Sequence, residues 1–149
     1  AEERGQAWAI AQTLEAQLAL PTPYLATVIG EGGSGGALAT LLADAVLVLE
    51  NAFLSVASPE AAAAILFRDA SRKQHAALAL RLQASNLRDW HIADEIVPEP
   101  PGGAHSDWDE TARLLRPRLE AHLQRLVAEG VDPARRRERY RRLDGLFSA

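Results

Sequence analysis

No cysteine occurs among the 149 residues of this chain, which excludes disulfide bonds and thiolate metal sites within it. Aromatic residues make up only 5% of the sequence, so its core must be built mostly from aliphatic side chains. No apolar run approaches the ~20 residues that a membrane-spanning helix needs. The opening segment AEERGQAWAIAQ is charged and lacks the apolar stretch of a signal peptide. We therefore expect a cytoplasmic protein with no membrane segment.

Charge is distributed unevenly along the chain. The overall composition, with 48% hydrophobic and 24% charged residues, is ordinary for one compact domain. Residues 1–132 carry 10 basic and 18 acidic side chains, whereas residues 133–149 carry 6 basic and 2 acidic ones. The acidic body argues against a nucleic-acid partner. The arginines between Arg135 and Arg142 are interpreted as a solvated helix face or as an interface with a partner subunit, docked through Tyr140, Leu143 and Phe147.

Short apolar runs alternate with segments of helical periodicity. Buried strands are predicted at 24–29, 45–49 and 93–97, with a weaker candidate from Phe53 to Val56. Helices are predicted at about 4–20, from Ala37, at 59–67, from Ser71 to about Ala84, just before Trp90, at about 107–129 and from Pro133. Alternation of this kind is typical of βαβ units and predicts a mainly parallel sheet.

Several helix ends carry recognisable capping signals. Ser58, followed by proline and glutamate, predicts a helix start. Ser71 with Gln74 resembles a capping box, and Asp107 should cap a long amphipathic helix. Pro117 lies inside that long helix and is expected to kink or split it.

The glycine-rich segment from Gly30 to Gly36 is the strongest candidate for a functional site. We interpret it as a tight loop between a strand and a helix, because glycine adopts positive φ freely and lets a ligand approach the backbone. The first N–H groups of the following helix have no internal acceptors, and the helix dipole adds partial positive charge there. The segment therefore predicts a site for a phosphate or a developing oxyanion, or else a tight turn without a ligand.

Two phosphate-binding patterns fit this segment poorly. Gly30, Gly32 and Gly35 match the dinucleotide pattern formally, but only Glu50 could serve as its ribose-binding acid. The Walker phosphate loop requires a lysine where Ala37 stands. An oxyanion hole is the better chemical interpretation.

Five stretches in order along the chain resemble one protein family. They are AEERGQ at the start, GEGGSGGAL at 30–38, SVASPEAAAAIL at 55–66, IVPEPPGGAH at 96–105 and the closing RRRERYRRLDGLF. Together they are similar to the C-terminal half of the carboxyltransferase alpha subunit of bacterial acetyl-CoA carboxylases, in the ClpP/crotonase superfamily. The resemblance implies an α/β fold, a partial crotonase-like βαβ superhelix with a C-terminal helical extension. Residues 1–106 would form part of the core, and residues 107–149 the C-terminal helices with the basic interface tail.

The resemblance also implies an enzymatic activity and its partners. Such enzymes transfer a carboxyl group from carboxybiotin, held on a carrier protein, to acetyl-CoA, which gives malonyl-CoA for fatty acid biosynthesis. The implied partners are a carboxyltransferase beta subunit, which carries zinc in its own cysteine cluster, and the biotin carboxyl carrier protein. The expected assembly is two alpha with two beta subunits, and this chain is expected to hold no metal.

The resemblance carries roles to particular residues. Gly35 and Gly36 would supply the N–H pair that holds the biotin ureido oxygen. Gly32, Gly33 and Ser34 would shape the cofactor-binding loop. Released biotin can accept the substrate proton, so a catalytic side-chain base is not required.

Some features depart from the family pattern. Ala61 replaces a glycine, Phe67 a tryptophan and Pro101 a leucine, and the N-terminal half of the family has no counterpart here. A partial core should expose apolar surface, so the chain is expected to be inactive without the beta subunit and that missing half. The alternatives are a related biotin-dependent acyl-CoA carboxylase, a malonyl decarboxylase subunit or a non-catalytic assembly module.

Two polar residues near these motifs are assigned supporting roles. His105 is expected to stabilise its loop through a hydrogen bond rather than to contact substrate. Glu31, beside the glycines, is expected to orient their loop from a buried position.

Overall fold

The computed structural model describes residues 2–55 and 57–141. Within those ranges the strands are β1 (Leu25–Val28), β2 (Glu31–Gly33), β3 (Ala45–Leu49), β4 (Phe53–Ser55) and β5 (Glu95–Val97). The α-helices are α1 (Gln6–Leu18), α2 (Ser34–Leu41), α3 (Pro59–Phe67), α4 (Lys73–Leu80), α5 (Ala84–Asp89), α6 (Trp108–Glu129) and α7 (Pro133–Arg141). The predicted strand end at Val56 and the predicted docking residues Leu143 and Phe147 lie outside the described residues, as does the side chain of Tyr140.

The strands form two small parallel sheets. The larger has the order β1-β3-β5, and the smaller pairs β2 with β4. Every residue of β3 is buried, because the central strand of a parallel sheet is covered on both faces. Leu47, Leu49 and Val97 are among the largest side chains that are fully enclosed. The predicted parallel sheet and aliphatic core are therefore confirmed.

The glycine-rich segment is more ordered than the predicted loop. Glu31–Gly33 is strand β2, and helix α2 already begins at Ser34. Consecutive glycines are poor strand formers on their own, but β4 supplies a hydrogen-bonding partner along their whole length. The loop prediction was wrong at this point because the pairing partner lies about twenty residues further along the chain.

The capping box predicted at Ser71 and Gln74 was also wrong. Asp69 accepts hydrogen bonds from the Ser71 N–H at 2.9 Å and from the Ser71 hydroxyl at 2.7 Å, and so caps a short 3-10 turn instead. Helix α4 ends at Leu80 rather than near Ala84, because Arg81 adopts a left-handed conformation with φ of +47°. A new helix, α5, then begins at Ala84.

Two other helix starts agree with the sequence. The Ser58 hydroxyl accepts a hydrogen bond from the Ala61 N–H at 3.1 Å, and the Asp107 carboxylate accepts one from the Glu110 N–H at 2.9 Å. Pro117 does not split α6, which continues unbroken from Trp108 to Glu129. The proline lies on the exposed side, where water can hydrogen-bond to the carbonyl that loses its N–H partner.

The C-terminal extension is helical, as predicted, and packs on the main sheet. Leu115 and Leu119 of α6 contact the apolar core, and Leu126 is buried. This arrangement places α7 beside the amino ends of β3 and β5. The boundary expected at residue 106 stays a prediction.

Several large apolar side chains are exposed, in agreement with the apolar surface that the sequence analysis expected. Trp8 is 69% exposed on α1, and Leu38 of α2 is 48% exposed. The α3–α4 pair exposes Ile65, Leu66 and Leu78. None of the described helices has both the length and the apolar character needed to cross a membrane.

Candidate functional site

The glycine segment is held in place by close packing between the strands of the small sheet. Gly32 lies opposite Leu54 in the β2–β4 register. A Cβ atom added to Gly32 would lie only 2.3 Å from Cδ2 of Leu54, whose side chain is buried. Gly33 has no such restriction, since the nearest atom to its Cβ position would be the Ser55 carbonyl oxygen at 4.0 Å. Gly32 is therefore needed for close packing.

Helix α2 begins directly after this strand, at a residue with unusual backbone geometry. Ser34 has φ of +51°, in the left-handed region that non-glycine residues seldom adopt. The sharp change of direction from Gly33 (φ −136°) into the helix occurs there. Backbone strain of this kind is commonly found at ligand-binding sites.

Gly35 and Gly36 lie in the first turn of α2. Their N–H groups belong to the first four of the helix, which have no acceptor within it. Gly36 is exposed and no atom lies within 4 Å of its Cβ position, whereas the Gly35 position would contact Cδ1 of Ile10 at 3.5 Å. The first turn is thus exposed at Gly36, and a helix N-terminus of this kind can bind an anion through its free N–H groups.

The predicted cofactor-binding residues Gly32, Gly33 and Ser34 thus lie on one continuous backbone path into Gly35 and Gly36. Gly33 and Ser34 are exposed, and Gly32 is half-buried. This stretch of backbone can supply N–H donors to a ligand, and Gly32 allows it to pack closely against β4. Whether it binds biotin stays a prediction that these positions support.

Glu99 is a carboxylate that the sequence analysis did not single out. Its Oε1 accepts the Asn51 N–H at 2.8 Å, and its Oε2 accepts the Asn51 side-chain amide at 3.1 Å and the Ala104 N–H at 2.7 Å. Burial favours the neutral acid, but the hydrogen bonds from Asn51 and Ala104 prevail and hold the pKa of Glu99 below its usual value. The PEPPGGAH motif could have indicated this residue, but its partner Asn51 is 48 positions away.

Of the two supporting roles that the sequence suggested, the burial of Glu31 is not found, and the role of the His105 side chain stays a prediction. The His105 carbonyl oxygen accepts the Trp108 indole N–H at 3.0 Å, and the His105 side chain helps to lower the pKa of Glu99 in the same loop. Glu31 is exposed rather than buried. Gly32 and its register partner Leu54 lie on the buried face of the small sheet, so the alternation of side chains along a strand turns Glu31 to the opposite face.

The three residues that the sequence analysis set apart from the family pattern have ordinary local environments. Ala61 is exposed in the first turn of α3. The Phe67 ring lies 4.1 Å from the guanidinium carbon of Arg72, a cation–π contact. The Pro101 carbonyl accepts a hydrogen bond from the Ser106 hydroxyl at 2.9 Å.

The basic segment contributes to the fold of this chain, beyond the two roles that the sequence suggested. The side chain of Arg136 is fully buried, with 0% exposed, and pairs with Asp44 at 2.6 Å. Arg139 donates to the Asp94 carboxylate at 2.7 Å and to the Ile92 carbonyl at 2.8 Å. These arginines hold the ends of β3 and β5, while Arg135, Arg137 and Arg141 are exposed. An interface role for the exposed arginines stays a prediction.

Two clefts lie away from the glycine segment. One, of about 440 Å³, lies between the α6–α7 junction and the amino ends of the main sheet. The other, of about 500 Å³, lies between the turn at 50–53 and the start of α5. Neither of these two clefts is lined by Gly32–Gly36, and Gly33, Ser34 and Gly36 are exposed. Among residues 2–55 and 57–141, no three histidine or carboxylate side chains gather as metal ligands would.

Comparison with known proteins gives a consistent assignment. Residues 1–146 match the model of the family described as acetyl co-enzyme A carboxylase carboxyltransferase-like. The chain is 50% identical over 145 residues to the acetyl-coenzyme A carboxylase carboxyl transferase subunit alpha of Rubrobacter xylanophilus, covering 96% of this chain and 45% of that protein. The chain therefore spans about half the length of the curated relatives it matches.

Solved structures show the same fold at low sequence identity. An enoyl-CoA hydratase from Bacillus anthracis aligns with a TM-score of 0.55 and 16% identity, over 97% of this chain and 61% of that one. The transcarboxylase 12S structure aligns with a TM-score of 0.57 and 23% identity, over 65% of this chain and 22% of that one. The crotonase-like α/β fold expected from the sequence is confirmed.

Proposed function

This chain belongs to the acetyl co-enzyme A carboxylase carboxyltransferase family, and on that premise we propose that it supplies the biotin-facing half of a carboxyltransferase site. The whole enzyme would transfer a carboxyl group from carboxybiotin to acetyl-CoA and form malonyl-CoA. The observation that carries the proposal is the strained entry into α2, which leaves first-turn N–H groups at an open surface.

The first turn of α2 fits a biotin ureido group. When bound, biotin supplies the labile carboxyl group and an oxygen that gains negative charge as that group leaves. Gly35 and Gly36 would donate their N–H groups to this oxygen, with the positive end of the helix dipole behind them. Gly32, Gly33 and Ser34 would fix the direction of these donors, since strand β2 runs directly into the helix.

Backbone donors suit a charge that appears only during the reaction. They are already oriented, so no reorganisation is needed when the charge develops. Loss of one such donor typically lowers kcat by about 100-fold to 1,000-fold. The proposed role therefore requires neither a side-chain base nor a metal from the described part of this chain.

The proposed site needs partners to enclose it. Gly36 is exposed, and the exposed Trp8 and Leu38 lie on the two helices nearest to the site. The remaining half of the family's length, a carboxyltransferase beta subunit and a biotin carrier protein are the partners that we propose. The beta subunit would bind the acyl-CoA and carry any zinc, in an assembly of two alpha and two beta subunits.

The test is carboxyl transfer from malonyl-CoA to a free biotin analogue. The chain, extended to the full length of its relatives, is mixed with the beta subunit as wild type, Gly36→Pro and Gly36→Ala. Proline removes the N–H, whereas alanine retains it and meets no atom within 4 Å. We expect Gly36→Ala to retain transfer and Gly36→Pro to lose it by about 100-fold or more.

Other outcomes would contradict the proposal. Equal rates in the two variants would show that the Gly36 N–H does not act on the transferred group. Wild-type protein that binds the beta subunit but transfers nothing would favour a non-catalytic assembly module. A preference for propionyl-CoA, or decarboxylation without transfer, would favour the related enzymes of the superfamily.

A further inference from the structure

We propose that Glu99 is a positioning residue for the glycine segment, acting through the turn that follows β3. The inference rests on the proposed function, because the position of the Gly35 and Gly36 donors matters only if they act on a ligand. Glu99 itself lies in the loop after β5, so it would act through Asn51 rather than by touching the reacting atoms.

The first step is the contact between Glu99 and the turn. One carboxylate accepts both the backbone N–H and the side-chain amide of Asn51, and it also accepts the Ala104 N–H of its own loop. Hydrogen bonds to an ionised acceptor are about twice as strong as neutral ones. Three of them on one side chain hold the turn and the loop after β5 together.

The second step leads from the turn to the glycines. The turn is closed by a hydrogen bond from the Ala52 N–H to the Leu49 carbonyl at 3.0 Å. The next N–H, that of Phe53, donates to the Gly30 carbonyl at 3.0 Å. β4 then pairs with β2 as far as Gly33, and the following residue begins helix α2.

The third step is the weakness of the small sheet by itself. β2 and β4 are each only three residues long, and an isolated two-stranded sheet is marginally stable at best. Its support comes from buried Leu54 in the core, from the bridge between Phe53 and Gln83, and from the contacts at the ends of its strands. Glu99 provides one of these contacts, through the turn that precedes β4.

The main sheet does not depend on the same anchor. The pairing of β3 with β5 ends at Leu49 and Val97, before Glu99 is reached. The Glu50 N–H still donates to the Val97 carbonyl at 2.9 Å without it. Removing the carboxylate should therefore loosen the turn and the small sheet while the core strands stay intact.

The experiment uses the full-length protein with its beta subunit and compares Glu99→Gln, Asn51→Ala and the control Glu110→Gln. Glutamine has the same shape as glutamate, but one of its two polar atoms cannot accept a hydrogen bond. Asn51→Ala removes only the side-chain contact and keeps the backbone one. Glu110 pairs with Arg113 at an exposed site on α6, so its variant controls for loss of charge.

Two readouts separate positioning from general stability. We expect Glu99→Gln to lower kcat of the transfer by about 10-fold to 100-fold with KM for the acyl-CoA little changed. Asn51→Ala should have a smaller effect in the same direction, and Glu110→Gln none. Amide hydrogen exchange should become faster at residues 30–36 and 50–55, but not at 45–49.

The outcomes are distinct for the two proposals. Unchanged exchange at 30–36 in both Glu99→Gln and Asn51→Ala would overturn the positioning role, as would an unchanged kcat in an active enzyme. If Glu99→Gln does not fold, the exchange rates and kcat of Asn51→Ala alone decide whether Glu99 has a positioning role. If the wild type shows no transfer, the proposed function fails, and exchange at 30–36 still decides whether Glu99 fixes the glycine segment.

Discussion

The guanidinium of Arg136 holds both carboxylate oxygens of Asp44, from Nε to Oδ1 at 2.8 Å and from Nη2 to Oδ2 at 2.6 Å, across 92 positions of sequence. The same side chain donates to the carbonyl oxygens of Gln17, Leu20 and Thr22. Each of the three guanidinium nitrogens of this buried cation therefore donates to at least one acceptor. The pair joins helix α7 to the end of α1 and to the residue before β3.

Removal of this buried cation should strongly destabilise the fold. Arg136→Met leaves Asp44 charged and without its main partner, which typically costs about 3–5 kcal/mol. The measurement is urea unfolding of the full-length protein. Arg137→Met is the matched control, because Arg137 is exposed on the same helix and should change stability by about 0.5 kcal/mol or less. Equal losses in the two variants would contradict the assignment.

The stability contributed by Asp44 should depend on pH in one direction. Burial by itself raises the pKa of Asp44, but hydrogen bonds from Arg136 and the Tyr24 N–H outweigh it, so the pKa is lowered. The stability that the Asp44 carboxylate contributes is therefore fully present above its pKa in the unfolded chain, about 3.9. That stability is lost as the pH falls through the lower pKa that Asp44 has in the folded protein. We expect the stability gap between wild type and Asp44→Asn to narrow below about pH 4. A gap that stays constant down to pH 2 would disprove this linkage.

Packing, rather than backbone conformation, should make Gly32 intolerant of substitution. Gly32→Ala places a methyl group 2.3 Å from Cδ2 of the buried Leu54, and such overpacking typically costs about 1–3 kcal/mol. Gly33→Ala, one residue further along the same strand, is the matched control and should be nearly neutral. Thermal unfolding measures both. Adding Leu54→Val to Gly32→Ala should restore part of the loss, and failure to do so would point to a different cause.

The alanine that replaces a family glycine should contribute to stability without affecting the site. Ala61 lies exposed in the first turn of α3, where alanine is favoured over glycine by up to about 1 kcal/mol. We therefore expect Ala61→Gly to lower the free energy of unfolding by that amount and to leave carboxyl transfer unchanged. A faster transfer in Ala61→Gly would instead show that the methyl group narrows the substrate path.

Local sequence patterns predicted most elements of the fold. The run from Ala45 to Leu49 has the bounds of β3, and Ser58 and Asp107 cap the helices that they were expected to cap. These signals depend on neighbouring residues, so periodicity and capping chemistry suffice to interpret them. The glycine segment was recognised as the candidate site for the same reason, since glycine clusters before a helix are a local feature.

What the sequence by itself determined about this protein is most of its element order, its carboxyltransferase family and the crotonase-like fold that follows from it, and it indicated Gly32 to Gly36 as the candidate site. Only the tertiary structure decided that Glu31–Gly33 is a strand, that Glu99 clamps Asn51, and that Arg136 and Arg139 point inward. Each of these depends on a partner about twenty to ninety positions away. A hydrogen bond or ion pair between distant residues produces no periodic pattern in the sequence. It depends on how the sheets and helices pack against each other.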